Sequence, residues 1–175
     1  MTLLFSGMPS ELAAAYRAGA PDANGQAPER KISDGDGVPC RHCLGYVEKD
    51  APYLVLAYRP FPALQPYAET GPVFIHAEEC PAYDPAQGLP PRHRNGRGQQ
   101  IVRGYGKDDR IVYGTGMVVN AGQIEAQAEA ILARDDVAYV HMRSATNNCF
   151  TLRIDRSPGQ SPADGTWAPA LGRHG

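Results

Sequence analysis

The sequence predicts a small α+β domain in which a mostly antiparallel sheet packs against one main helix at about residues 121–134. Glycine and proline account for 19 and 16 of the 175 residues, well above an average combined share of about 12%. The chain is therefore expected to be rich in loops. Several short segments rich in β-forming residues predict strands, and one segment has a clear helical pattern. We expect a single domain over residues 1–156 and a flexible tail over residues 157–175.

The N-terminal region predicts a short helix followed by a long loop. Ser10 can cap the helix, residues 12–18 are good helix formers, and Gly19 can end it. Residues 19–39 are polar and rich in glycine, with almost no apolar side chains. This composition is typical of a loop and of a mobile segment.

Four short segments predict strands. Residues 53–59 are rich in β-forming side chains and stop at Pro60, and residues 73–75 begin after a glycine and a proline. Residues 111–113 and 117–119 flank a Gly-Thr-Gly sequence, where a bend or a β-bulge is expected. These segments would supply part of the sheet.

The helix at about residues 121–134 has a defined start and one apolar face. Asn120 is a favourable N-cap, and Gln123 lies at the spacing of a capping box. Apolar residues recur at helical spacing, so they form one stripe that can pack against a sheet. This stripe consists of Ile124, Ala128, Ile131 and Leu132.

The last predicted element is a β-hairpin formed by residues 137–145 and 149–154. A three-residue turn with Asn148 in the left-handed conformation is an accepted hairpin geometry. A four-residue turn would place Met142 opposite Thr151 and mix apolar with polar side chains on each face. The three-residue turn is therefore expected. It pairs Val140 with Ile154, Met142 with Leu152, His141 with Arg153, Arg143 with Thr151, and Ser144 with Phe150.

Charge and hydropathy limit the classes of partner. The formal net charge is −2, with 14 arginines against 3 lysines, whereas a protein that neutralises phosphates is usually basic. Nucleic acid is therefore not an expected partner. No apolar run reaches the ~18 residues of a membrane span, and the N-terminus lacks the charged region of a signal peptide. We expect a cytoplasmic protein that binds no membrane and whose partner is an unknown small anionic ligand or a protein.

The most specific chemical pattern is a set of three cysteines and one histidine. Cys40 and Cys43 form a Cys-x2-Cys pair beside a proline and a glycine, which suit the tight turn of a zinc knuckle. His76 and Cys80 are four residues apart, so a nitrogen and a third sulfur can lie on one side of a turn. Three cysteines and one histidine are an ordinary tetrahedral set for a structural zinc ion.

Other interpretations of these residues stay open. The thiols can form a cluster without metal or be buried structural cysteines, and a Cys-x-x-Cys pair can also be a redox motif. A catalytic zinc keeps an open position, whereas four ligands are already at hand here. His42 can replace one of the four. Because 32 residues separate the two pairs, tertiary structure must bring them together.

A weaker pattern lies on the polar face of the predicted hairpin. His141, Arg143 and Arg153 share that face, with Cys149 nearby and Arg59 on a strand that can be adjacent. A sheet with one solvated face shows the same alternation, so solvation alone explains it. One alternative is a site that binds an anionic ligand through the three arginines and His141. The other is a nucleophilic Cys149 activated by the neighbouring cations.

Several short motifs, each weak alone, form a fairly specific set. They are Pro39–Leu44, Leu56–Phe61, Tyr67–His76 with Cys80, Arg103–Tyr105, and Tyr139–Ser144 with Cys149 and Phe150. Together they resemble the DUF1203 family of uncharacterised bacterial proteins, over roughly Phe5–Arg156. The resemblance implies a single small bacterial domain. Because the family has no established activity, the resemblance implies no catalytic residues, and the metal site depends on ligand spacing alone.

Two hypotheses for the function follow. The first is a binding or interaction module of unknown ligand, stabilised by a structural zinc ion that replaces part of the core a loop-rich chain lacks. The second is a small enzyme that acts on an anionic substrate. In that enzyme His141 would be the acid or base, Arg143 would bind the anion, and Cys149 would be the nucleophile. No third residue that would orient His141 is identifiable, so the sequence does not establish an enzyme.

Overall fold

The computed structural model describes residues 2–96 and 98–158, which fall into two compact units. The three-stranded unit is Gly7–Tyr83, and the five-stranded unit joins residues 2–6 to residues 84–158. Each unit contains an antiparallel sheet and at least one helix, so the α+β class is confirmed. The strands form two sheets, however, where the sequence predicted one.

Eight strands and three α-helices make up the regular structure of the described residues. In chain order they are β1 (Leu3–Ser6), α1 (Ser10–Arg17), β2 (Glu29–Ile32), β3 (Pro52–Tyr58), β4 (Gly71–His76), α2 (Pro91–Arg94), β5 (Gln99–Tyr105), β6 (Met117–Asn120), α3 (Ile124–Leu132), β7 (Tyr139–Ser144) and β8 (Phe150–Arg156). The strand orders are β2-β3-β4 and β1-β8-β7-β5-β6. Within the described residues, no helix has both the length and the apolar character that crossing a membrane requires.

Helix α1 begins at Ser10, the residue that the sequence predicts as its N-cap. Pro9 occupies the N-cap position, where no side chain caps the helix. Ser10 is the first helical residue, so its predicted role as the cap is wrong. Its hydroxyl instead lies 2.9 Å from Nε2 of His42. The helix ends as expected before Gly19, which has a φ of 89° that glycine adopts without strain.

The prediction of a continuous loop over residues 19–39 is wrong for Glu29–Ile32, which form the edge strand β2. All four residues of β2 are exposed, so no alternation of apolar and polar side chains marks this strand. Only its antiparallel pairing with β3 defines it. Strand β3 shows the alternation that the sequence predicted, with Leu54, Leu56 and Tyr58 buried.

The main helix of the five-stranded unit is confirmed. Asn120 and Gln123 form the predicted capping box, and a 3-10 turn at Ala121–Gln123 leads into α3. The helix contacts β5, β6, β7 and β8. Its buried residues are the predicted stripe of Ile124, Ala128, Ile131 and Leu132. Residues 111–113, in contrast, form no named strand, and only Ile111 makes an isolated bridge, with Tyr105.

The β7–β8 hairpin is confirmed, but its turn differs from the prediction. Ser144 donates its N–H to the carbonyl oxygen of Cys149, so the turn between these two residues contains four residues, 145–148. The register then shifts through a β-bulge next to Arg143, which pairs with Phe150 instead of Thr151. The bulge restores the predicted pairs of Met142 with Leu152, His141 with Arg153, and Val140 with Ile154. Asn148 has the expected left-handed conformation, with a φ of 56°. The tail beyond residue 158 lies outside the described residues.

Candidate metal centre

The Cys40–Cys43 pair lies on a tight turn, as the sequence predicts for a zinc knuckle. The chain before and after it pairs through an isolated antiparallel bridge between Pro39 and Tyr46. The N–H of Cys40 donates to the carbonyl oxygen of Gly45 at 2.9 Å. Leu44 closes the turn with a left-handed φ of 55°. This geometry directs both cysteine side chains to one side of the turn.

Strand β4 brings the second pair of ligands to this turn. Cys40 forms a parallel bridge with Phe74, and Arg41 donates its N–H to the carbonyl oxygen of Phe74 at 2.8 Å. His76 is the last residue of β4, and Cys80 follows four residues later. The tertiary contact between the turn and β4 therefore closes the gap of 32 residues between the two pairs.

The four predicted ligands lie together. One ligand atom from each of Cys40, Cys43, His76 and Cys80 is within 4.8 Å of every other. Zinc–sulfur bonds of about 2.3 Å at tetrahedral angles place sulfur atoms about 3.8 Å apart. The Cys40 and Cys80 sulfurs are 4.0 Å apart, and the Cys43 sulfur is 3.6 Å from Nδ1 of His76. The spacing thus fits a single tetrahedral metal ion.

Hydrogen bonds among the three thiols give them different affinities for protons. The pKa of Cys40 is held far below its ordinary value, mainly by the hydrogen bond from the Cys43 side chain and then by the one from Cys80. The pKa of Cys43 and that of Cys80 are raised because their thiols serve Cys40 as donors. Three thiolates this close repel one another, so a bound cation is needed to ionise all of them.

A carboxylate lies beside His76 and can orient its ring as a metal ligand. Its Nδ1 faces the sulfur of Cys43, while its Nε2 lies 3.4 Å from an oxygen of Glu48. Histidines that bind metals usually donate their second ring N–H to a carboxylate or carbonyl group in this way. The arrangement leaves the lone pair of Nδ1 directed at the other three ligands. Sequence reasoning missed Glu48, because nothing in its spacing marks a contact with His76.

Two further side chains contact Cys80 from outside the set of four ligands. Arg17 donates from Nη2 to the Cys80 sulfur at 3.2 Å, and Nδ1 of His42 lies 3.3 Å from the same sulfur. His42 therefore contacts a ligand rather than belonging to the set. The pKa of His42 is lowered by burial, then by the positive charge of Arg17, which favours the neutral imidazole. Arg17 lies on a predicted helix whose sequence shows no sign of this role.

Gly7 allows the chain before α1 to approach the cysteine turn closely. A Cβ atom at this position would overlap the carbonyl oxygen of Arg41 and lie 2.9 Å from that of His42. No real Cβ tolerates such distances. Met8 also donates its N–H to the carbonyl oxygen of Arg41. Glycine at this position is thus required for α1 to start beside the four candidate ligands.

The polar face of the hairpin, for which the sequence allows a simple solvated surface, is buried. His141, Arg143 and Arg153 are 0%, 4% and 6% exposed. The rings of Tyr105, Tyr139 and Phe150 surround His141, with centroids 4.8, 5.0 and 4.9 Å from the imidazole. The β-bulge explains the difference, because it pairs Phe150 with Arg143 and so turns the ring toward His141. The solvated interpretation is wrong.

The charges around His141 favour its neutral form. Burial lowers the pKa of His141 well below its ordinary value, and the positive charges of Arg143, Arg153 and Arg103 lower it further. The guanidinium of Arg153 lies 3.8 Å from the centroid of Tyr139 and pairs with Asp155 at 2.7 Å. A fully buried neutral imidazole is typical of a packed core group and gives a substrate no exposed surface to contact.

A neutral buried His141 makes the stability of the protein depend on pH. Below about pH 6.5, the ordinary histidine pKa, the unfolded state takes up a proton that the folded state resists. The free energy of unfolding is therefore expected to fall as the pH drops from about 6.5 toward the lower folded pKa, by up to about 1.4 kcal/mol per pH unit. In His141→Gln this part of the slope should disappear. Urea denaturation at a series of pH values measures it, and equal slopes in the two proteins would contradict the buried neutral form.

The other predicted site residues are not among the four candidate metal ligands. Arg59 follows β3 in the three-stranded unit, whereas His141, Arg143 and Arg153 belong to the five-stranded unit. Cys149 lies in the hairpin turn, half-buried, with its sulfur 3.5 Å from the carbonyl oxygen of Asn147. Their roles in anion binding and catalysis stay predictions.

A groove of about 410 Å³ opens on the three-stranded unit. Its walls include Val55 and Ala57 of β3 and the start of β4. The charged residues that line it, Asp22 and Glu29, are both acidic. Asp22 accepts hydrogen bonds from the N–H groups of Asn24, Gln26 and Ala57 and so shapes one wall. The groove offers no cation to an anionic ligand.

The fold and the site together define an α+β protein with a candidate Cys3His metal centre. The sequence model of the family described as "Protein of unknown function (DUF1203)" matches residues 37–156. The chain belongs to this family, as its motifs indicated. The matched range contains all four candidate ligands, whereas Ser10 and Arg17 precede it. No curated protein and no solved structure matches the chain.

Proposed function

We propose that this protein is a binding or interaction module stabilised by a structural zinc ion. One observation supports the proposal above all: the ligand atoms of Cys40, Cys43, His76 and Cys80 converge within 4.8 Å. Sulfur and imidazole ligands favour zinc over magnesium and calcium, which prefer oxygen. When bound, the ion would cross-link the cysteine turn to the end of β4.

A structural role suits the site better than a catalytic role. Four protein ligands complete a tetrahedron, and a catalytic zinc needs a position open to water or substrate. Cys40 is 0% exposed, so one side of the centre is closed to solvent. The contacts of Glu48, Arg17 and His42 with the ligands also favour one fixed geometry. The enzyme hypothesis lacks comparable support, because His141 is fully buried.

The partner that we propose is a protein or a small ligand. A formal net charge of −2 gives no excess of positive charge for nucleic acid or an anionic membrane surface. The groove beside β3 is a place where a small polar ligand can bind. Its acidic residues, Asp22 and Glu29, disfavour an anion there, so an anionic ligand would have to bind elsewhere.

The cysteines support a cytoplasmic location as part of this proposal. All four are free, and no disulfide joins any two of them. Three reduced thiols that bind a metal persist best in a reducing compartment, because oxidising compartments favour disulfides. The zinc and the location are thus mutually consistent.

Elemental analysis of the full chain, purified without added metal, tests the proposal. We expect about one zinc ion per chain. Cys43→Ser should bind much less zinc, because it removes one ligand. Cys149→Ser should keep the full amount, because Cys149 is a cysteine outside the set. A wild-type chain that is folded and free of metal would overturn the proposal, and one atom of iron in place of zinc would overturn the choice of metal.

A further inference from the structure

Cys80 is distinguished from the other candidate ligands by two hydrogen bonds from side chains. Arg17 directs Nη2 to the Cys80 sulfur at 3.2 Å and, through Nε, donates to the carbonyl oxygen of His76 at 3.1 Å. The same guanidinium therefore contacts two of the four ligand residues. His42 approaches the sulfur from the cysteine turn, with Nδ1 at 3.3 Å.

The donor and acceptor roles follow from the chemistry of a metal-bound thiolate. Such a sulfur carries no proton, so it can only accept hydrogen bonds, and Nδ1 of His42 must carry the hydrogen. In the neutral imidazole, Nε2 is then an acceptor. The hydroxyl of Ser10 lies 2.9 Å from Nε2 and donates to it. Ser10, His42 and Cys80 thus form a chain of hydrogen bonds that ends on the metal ligand.

Both ends of α1 take part in these contacts. Ser10 is the first residue of the helix and Arg17 is the last. Seven residues complete almost two turns at 3.6 residues per turn, so the two side chains lie on the same helix face. Ala13, between them on that face, is 0% exposed. One face of α1 is therefore anchored at both ends to the surroundings of Cys80.

The charge of the centre explains why a guanidinium lies there. Three thiolates and one divalent cation leave a net charge of about −1, which is costly in a partly buried site unless it is compensated. In the part of the chain that the structure describes, Arg17 supplies a positive charge in direct contact with a ligand sulfur, that of Cys80. Charge-assisted hydrogen bonds of this kind are stronger than neutral ones.

We propose that Arg17 and His42 are positioning residues that hold Cys80 as a metal ligand, and that the bound metal in turn holds α1 against the centre. The inference rests on the proposed metal-binding function and adds a regulated element to it. Loss of the metal would release α1, because Cys80 would no longer be fixed as the acceptor for Arg17 and His42. Gain of the metal would order the helix again.

Cobalt substitution of the full chain tests the first half of the proposal. Co²⁺ takes the tetrahedral position of zinc and absorbs light through charge transfer from bound thiolates. A thiolate that loses hydrogen-bond donors holds its electrons less tightly, so this band should move to lower energy in Arg17→Gln and in His42→Leu. Competition with a chelator should show Zn²⁺ binding weakened about 10–100-fold, the usual effect of removing an outer contact.

Two matched variants distinguish positioning from general destabilisation. In His42→Asn the side-chain amide nitrogen can take the place of Nδ1, so the band and the affinity should return toward the wild-type values. Arg134→Gln removes an exposed arginine that pairs with Asp136 at 2.7 Å and should change neither. A band shift in Arg134→Gln, or no recovery in His42→Asn relative to His42→Leu, would count against positioning.

Hydrogen exchange of the amides in Ser10–Arg17, with Zn²⁺ bound and after chelation, tests the second half. We expect chelation to accelerate exchange in wild type, and exchange in Arg17→Gln to be fast already with Zn²⁺ bound. Wild-type affinity and an unshifted band in both Arg17→Gln and His42→Leu would overturn this inference and leave the zinc proposal intact. Unchanged exchange after chelation would overturn the coupling to α1. A wild-type chain that binds neither Zn²⁺ nor Co²⁺ would overturn both proposals.

Discussion

Cys40→Ser is expected to abolish metal binding and to unfold the three-stranded unit. Cys40 is 0% exposed and lies where the cysteine turn bridges to β4 at Phe74. Structural zinc contributes about 10–16 kcal/mol to the folding of zinc-finger peptides, which is comparable with the whole stability of a typical domain, about 5–15 kcal/mol. Serine also leaves a buried hydroxyl where a ligand was.

Metal content and hydrogen exchange over Gly7–Tyr83 measure this effect. The variant should contain almost no zinc, and its amides in this range should exchange much faster than in wild type. Cys149→Ser is the matched control, since it makes the same chemical change at a cysteine outside the four ligands. If Cys40→Ser kept one zinc per chain and slow exchange, Cys40 would not be a ligand.

Arg156→Met is expected to lower the free energy of unfolding of the five-stranded unit by about 3 kcal/mol or more. Arg156 is 8% exposed, and its guanidinium donates to the carbonyl oxygens of Leu132, Arg134 and Val137. Carbonyl groups at a helix end lack partners within the helix. A buried acceptor that loses its donor costs about 1–3 kcal/mol. Methionine removes the Arg156 donor from all three carbonyls, of which that of Arg134 still accepts the N–H of Val137.

Urea denaturation of wild type and variant measures this difference. Arg134→Met is the control, because Arg134 is an exposed arginine in the same region. Its ion pair with Asp136, at 2.7 Å and with side chains 45% and 56% exposed, should contribute little to stability, because solvent screens an exposed ion pair. Equal losses in the two variants would show that Arg156 does not stabilise the end of α3 through its hydrogen bonds.

Features that depend on neighbouring residues in the chain were predictable from the sequence. The capping box of Asn120 and Gln123 and the apolar stripe of α3 need only helical geometry, and both are present. The candidate ligand set was also predictable, because cysteine and histidine at these short spacings are typical of metal-binding turns. The edge strand β2 was not, since its four exposed residues carry no pattern and only pairing with β3 defines it.

The surroundings of the candidate metal centre depend on contacts between distant segments. Arg17 and Cys80 are 63 residues apart in the chain, and Ser10 and His42 are 32 apart. The sequence around an arginine at the end of a helix does not indicate whether its side chain contacts a thiol or water. The Cys and His spacing therefore predicted which residues can bind a metal, whereas the residues that would hold those ligands in place could not be identified.

The α+β class, the helix α3 and the four candidate ligands follow from the amino-acid sequence, because local periodicity and ligand spacing are properties of short segments. The hairpin turn, the partners of Cys80 and the burial of His141 depend instead on contacts between distant segments. A four-residue turn and one β-bulge give the same apolar pairs as the three-residue turn that the pattern favoured, yet they turn Phe150 toward His141. The apolar pattern constrains which side chains pair on the buried face of the hairpin. Packing decides where the chain places the residue that the β-bulge adds.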